Sequence, residues 1–201
     1  MLIVLSAPAS VKNEVRLINR LFESGLMHFH LRKDGMSKMA YEQIIAKIDP
    51  AYYDRLVIHQ FHELAFTYPV RRLHYKESHR RKSQNMEFEE LNKTGNSLST
   101  SIHDLSHLSG LKNFDYVFYG PVYNSLSKSG YVGLPANKLV LPICTERPKL
   151  VALGGIQYSN IKQALELGFD GVAVLGAVWN ASDNAIMNFK KMQGKWNRIA
   201  L

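Results

Sequence analysis

The feature that most constrains this chain is an alternation, kept from end to end, of short β-rich runs with stretches of helical spacing. Leu2–Leu5, Leu26–Leu31, Leu56–Ile58, Leu73–Tyr75, Ser97–Ile102, Asp115–Tyr119, Leu150–Leu153 and Gly171–Leu175 read as strands. Between them, Val11–Phe22 carries apolar residues at Val15, Ile18, Leu21 and Phe22, one face of a helix that Gly25 stops. Met39–Ile48, Glu63–Phe66, a polar stretch reaching Leu91, Asp104–Leu111, Asn160–Leu167 and Ala185–Ile199 supply further helical material, and Gly120–Leu134 reads as a long loop. Eight β/α units in one domain predict a parallel (β/α)8 barrel of the TIM type. An open doubly wound sheet is the alternative, but no strand is followed by Gly-x-Gly-x-x-Gly.

At 201 residues the chain suffices for one such barrel, over 1–201, with short connections. Hydrophobic residues make up 46% and charged residues 21%, ordinary globular usage that excludes disorder and fibrous repeats. No apolar run reaches the roughly 18 residues of a membrane span, and the start, Met1 to Pro8, lacks the basic region of a signal peptide. A single cysteine, Cys144, excludes an internal disulfide framework and fits a cytoplasmic protein. The net charge of +8 favours an anionic partner, either a phosphorylated metabolite or nucleic acid.

In a barrel of this kind chemistry sits on the loops after the strands. Alternation places His28, His30, Arg32 and Asp34 on one face of the second strand, a polar row suited to the barrel mouth. Arg32, at the strand end, suits bidentate phosphate contact. The plainer reading of His28 and His30 is that they are satisfied interior groups. His-x-His also resembles the metal pair of zinc-dependent barrel hydrolases, which His59, His74 and His103 would complete. No obvious carboxylate set accompanies them, so no metal is expected. Arg71 to Lys82 holds six Lys/Arg, two His and one Glu. Without interleaved aromatics it reads as a solvated face more readily than as a nucleic-acid footprint, and no nucleic-acid partner is expected. Lys76 falls at a mouth position. Ser99, Ser101 and His103 share one parity at the end of the fifth strand, and a strand-end histidine is a natural general acid/base. The loop from Gly120 offers Ser125 and Lys128. Gly154, Gly155 and Gly176 follow the last two strands, where backbone amides form the usual barrel phosphate site.

These residues resemble a known family. The segments His30-Leu31-Arg32, Ser101-Ile102-His103, Asp115 to Val122, Ala152 to Ile156 and Gly168 to Val174 are similar, in matching order, to the thiamine phosphate synthase family, which also contains the thiazole tautomerases. The resemblance implies a (β/α)8 barrel and a role in thiamine biosynthesis. Family synthases join a pyrimidine pyrophosphate to thiazole phosphate, with Mg²⁺ holding the pyrophosphate.

Against the family's Gln-x-Arg-x-Lys in the second strand this chain has His30, Arg32 and Asp34, and its Asn-Asp pair after the third strand becomes His59 and Gln60. The second magnesium aspartate falls near His79, among basic and polar neighbours, where Lys76, Arg80 and Arg81 are placed to neutralise a phosphate directly. Loss of both acids argues against the magnesium arrangement. In the tautomerase branch the histidine matching His103 moves a proton on the thiazole ring. The implied site therefore has His103 and Lys128 as catalytic residues, with His30, Arg32, Ser101, Ser125, Gly154, Gly155 and Gly176 binding substrate and phosphate. The expected ligands are small phosphorylated metabolites, thiazole phosphate or thiamine phosphate. No cofactor or metal is expected, Mg²⁺ entering only if the protein is a synthase. A non-catalytic thiamine phosphate binder is a further reading. A homodimer is compatible with a barrel of this size.

Overall fold

The computed structural model describes residues 1–124, 141 and 147–200. Eight parallel strands close into a barrel in chain order: β1 Leu2–Leu5, β2 Phe29–Leu31, β3 Leu56–Ile58, β4 Arg72–Tyr75, β5 Ser97–Ile102, β6 Tyr116–Tyr119, β7 Lys149–Leu153 and β8 Gly171–Val174. Closure is sealed where β1 pairs with β8, Leu2 opposite Val172 and Val4 opposite Val174. The sequence-predicted strands all form, and the barrel expectation is met.

Among the described residues seven α-helices accompany them: α1 Glu14–Glu23, α2 Lys38–Ala46, α3 Glu77–Arg80, α4 Asn85–Lys93, α5 Ile161–Glu166, α6 Gly176–Trp179 and α7 Ala185–Ile199. Between β3 and β4, and again between β5 and β6, the connection narrows to single 3-10 turns, His62–Phe66 and Leu105–Gly110. That economy is how a short chain completes a barrel. Sequence spacing did not separate α3 from α4, nor find the 3-10 turn Pro50–Arg55 or the one-turn α6.

Period-two alternation sorts the strand residues into two populations. Outward-facing Val4, Phe29, Leu31, Ile58, Leu73, Leu98, Val117, Leu150 and Val172 pack under the helices as the main core. Inward-facing Ile3, Leu5, Tyr116, Phe118, Val151 and Ala173 form a smaller apolar cluster inside the barrel. Large branched apolar residues usually fill such an interior. Here one side is polar instead, built from His28, His30, Arg72, His74, Ser99 and Ser101.

Lys33, one residue beyond Arg32, has the parity of the outward apolar face and is 1% exposed. Its ammonium donates to Glu14 Oε1 and Oε2 at 2.6 and 2.7 Å, to Ala7 O at 2.7 Å and to Ala9 O at 3.1 Å. This one group ties the loop after β1 and the first turn of α1 to the end of β2. Among the described residues no helix is long and apolar enough to cross a membrane.

Candidate functional site

At the C-terminal mouth of the barrel lies a cavity of about 560 Å³. Its wall on the β2–β4 side carries Arg32, Lys76, Glu77 and Arg81; Ser101 and His103 come from the end of β5, and Leu5, Phe118, Gly120 and Leu153 form the apolar side. Each charged group has a partner. Asp34 accepts from Arg32 Nε at 2.8 Å and is bridged to Lys76. Glu77, the first residue of α3, accepts from His103 Nδ1 and from Arg81, both at 2.7 Å. Burial acts to raise both carboxyls, but the bonds from Lys76 and Arg32 at Asp34, and from His103 and Arg81 at Glu77, outweigh it and hold both below their ordinary range. The rim is thus a set of cations and ionised acids, with His103 72% exposed at its edge.

Beneath this rim the floor is imidazole. His59 and His74 line the cavity, stacked with ring centroids 4.0 Å apart. His30 lies under them, fully buried, its Nδ1 2.9 Å from His59 Nε2 and its Nε2 2.7 Å from the Tyr116 hydroxyl. His74 meets Ser99 Oγ through Nδ1 at 2.9 Å and Ser101 Oγ through Nε2 at 3.0 Å. Burial, reinforced by the other imidazoles and nearby cations, holds His30 and His59 neutral and pushes His74 down to about 3.

The polar row of the second strand is real, but it runs the length of the barrel rather than clustering at the mouth. His28 is at the opposite end, 3.2 Å from Arg72, where burial lowers it to about 4. His30 is in the middle, below the cavity floor rather than on its surface. Arg32 reaches the wall. Ser101 and His103 line the cavity as their parity implied. Of the suggested metal partners, His59 and His74 converge on His30, whereas His103 turns to Glu77. Ser125 and Lys128 lie outside the described residues.

The basic run does not form one face. Arg72 donates to Asp54 O at 2.5 Å at the barrel's far end, Arg80 donates to Thr100 Oγ1 at 3.1 Å, and Lys76 and Arg81 go to the mouth.

Gly154 and Gly155 continue from Leu153 with φ of +95° and +64°. A Cβ at Gly154 would stand 2.8 Å from Pro121, and one at Gly155 2.5 Å from Asn124 O. Both glycines therefore let the loop after β7 pack on the loop after β6, a steric need independent of any phosphate. Gly176 opens α6.

Sequence reasoning counted Glu77 within the basic run beyond the fourth strand but gave it no role. The signal was available in its place two residues after β4, at a strand end. Lys33 was missed, although a lysine of apolar parity demands a buried partner.

Residues 1–178 match the family described as thiamine monophosphate synthase. A thiamine-phosphate synthase of Leuconostoc citreum is 24% identical over 180 residues, 84% of this chain and 82% of that one. One of Methanococcus vannielii is 41% identical over 80 residues, 39% of this chain and 37% of that one. Among solved structures, a thiamine phosphate pyrophosphorylase from Bacteroides thetaiotaomicron superposes with a TM-score of 0.74 at 27% identity, covering 98% of this chain and 97% of that one. A 3-hexulose-6-phosphate synthase, at a TM-score of 0.67 and 13% identity, shares the fold alone. With the family matched from the first strand into α6, and the same barrel behind it, the chain belongs to the thiamine monophosphate synthase family.

Proposed function

We propose that the protein binds thiazole phosphate in the mouth cavity and tautomerises the ring, with His103 carrying the proton. The observation that carries this reading is the His103–Glu77 pair set beside Arg32, Lys76 and Arg81. A neutral His103 donates Nδ1–H to the Glu77 carboxylate, which leaves Nε2 as the lone-pair nitrogen. That nitrogen accepts a proton from one ring position and returns it to another, so the imidazolium is transient and nothing is consumed. The three cations attract the phosphate, Ser101 and the amides about Gly154, Gly155 and Gly176 complete its cradle, and the Leu5, Phe118 and Leu153 side takes the apolar ring. Proton transfer of this kind contributes about 10²–10⁴-fold. His103→Ala should lower turnover by that factor and leave thiazole phosphate affinity nearly unchanged. Unaltered turnover in that variant refutes the role.

The relatives' names favour a second reading, coupling of a pyrimidine pyrophosphate to thiazole phosphate. Magnesium would have to be held by oxygen ligands, chiefly carboxylates. Asp34 and Glu77 are the acids at the mouth, and each is already bound to two cationic or imidazole partners. The remaining donors below them are imidazole nitrogens, which suit Mg²⁺ poorly. Among the described residues, the site does not fit that ion.

A further inference from the structure

We propose that His30, His59 and His74 form a binding site for one divalent transition-metal ion of the zinc class beneath the floor of the mouth cavity. One nitrogen from each ring lies within 4.8 Å of the others. Around two of them the pattern is the one expected of metal-ligating histidines, whose second nitrogen is fixed by an oxygen partner. Tyr116 holds His30 Nε2 and Ser99 holds His74 Nδ1. That leaves His30 Nδ1, already facing His59 Nε2, and His74 Nε2, met only by the rotatable Ser101 hydroxyl. His59 Nδ1 is buried with no hydrogen-bond partner, so turning this ring breaks one hydrogen bond, to His30, and opens its stack on His74.

The spacing can be compared with what a tetrahedral ion needs. With metal–nitrogen bonds of about 2.0–2.1 Å, ligating nitrogens stand about 3.3 Å apart and their ring centroids about 5 Å. His30–His59 and His30–His74 are at 5.1 and 5.5 Å, with ring planes at 74° and 71°. Only the stacked pair His59–His74, at 4.0 Å and 22°, must open, by about an ångström. Both of its rings border the cavity, which gives them the room. Burial keeps all three imidazoles in the neutral form that binds metal. An all-nitrogen set selects ions such as Zn²⁺ over Mg²⁺ or Ca²⁺. The fourth position faces the cavity and takes water or an oxygen of a bound phosphorylated ligand. This site goes beyond the proposed function, since the transfer at His103 does not depend on it.

The test is titration of the chelator-stripped full chain with Zn²⁺, by competition against a chromophoric chelator, and with Co²⁺ by visible absorption. One ion per chain, with submicromolar affinity for Zn²⁺ and the bands of four-coordinate Co²⁺, is expected. His30→Ala, His59→Ala and His74→Ala should each weaken binding by more than the roughly 10–100-fold expected for Ser99→Ala, which removes only an outer partner. His107→Ala, on the turn Leu105–Gly110 and 3.9 Å from Glu77, should bind as the parent does. Failure of the parent chain to take up Zn²⁺ or Co²⁺, or uptake unchanged in the three variants, overturns the proposal. If the alanine variants do not fold, the parent titrations still decide, and Gln at the same positions replaces Ala.

Discussion

Lys33→Met removes the charge that holds the β1–α1 corner against the end of β2. Four contacts go with it: two to Glu14 at 2.6 and 2.7 Å, and one each to Ala7 O and Ala9 O. Met keeps the stem length and the packing, so the dominant loss is electrostatic. Glu14, 8% exposed, is left as a buried carboxylate with no counter-charge. Orphaning one member of a buried pair costs about 3–5 kcal/mol, because the desolvated charge stays behind. With a urea m-value of about 3 kcal/mol/M, the unfolding midpoint should fall by about 1–2 M. Adding Glu14→Met removes the stranded charge and should restore most of the loss, since apolar replacement of a whole buried pair is often neutral. Arg32 adjoins Lys33, so the single variant should also weaken phosphate binding. A midpoint lowered by less than about 0.3 M, or a double variant no better than the single, would refute this account of the corner.

Three other changes test separate parts of the structure. Gly120→Ala places a Cβ 2.2 Å from Leu153 O, a backbone atom that cannot yield cheaply, whereas Gly110→Ala meets nothing within 4 Å. The first should lose at least about 3 kcal/mol in a thermal or urea melt and the second less than about 1; equal effects would contradict the packing described. Tyr116→Phe removes the hydroxyl from His30 Nε2 and should cost about 1–3 kcal/mol, with a shifted His30 ring resonance in ¹⁵N spectra. The buried histidines also set an acid limit. His74 falls to about 3 from an unfolded value of 6.5, with His30 and His59 lowered in the same sense, so the unfolded chain binds more protons below about pH 6.5. Their contribution is present in full above that pH and is lost as pH drops toward the folded values, by up to about 2 kcal/mol for His74 between pH 7 and 5. A urea midpoint flat across that range would contradict the burial of these groups.

Strand positions were legible because each run is short, apolar and punctuated, and because period two separates Phe29 and Leu31 from His28 and His30 without reference to any neighbour. What period two cannot supply is the register between strands. His59 and His74 are fifteen residues apart in the chain, yet β3 pairs with β4 so that Ile58 faces Leu73 and the next residue on each side is a histidine. The same parity that correctly turned His28 inward could not say that it sits at the far end, beside Arg72. Glu77 was hidden for a different reason. It lies on a short helix after β4, and its approach to His103 depends on how that helix folds back over β5. The glycines after β7 were visible as punctuation, but their steric role needs the neighbouring loop that a single segment does not show.

In the function proposed above, the mouth cavity takes a thiazole phosphate without a magnesium–pyrophosphate arrangement. Calorimetric titration of the full chain with thiazole phosphate, and separately with the pyrimidine pyrophosphate in the presence and absence of Mg²⁺, tests it most directly. The account predicts that thiazole phosphate binds without Mg²⁺ and that the pyrophosphate fails to bind with it. Magnesium-dependent binding of the pyrophosphate would contradict the account and restore the coupling reaction.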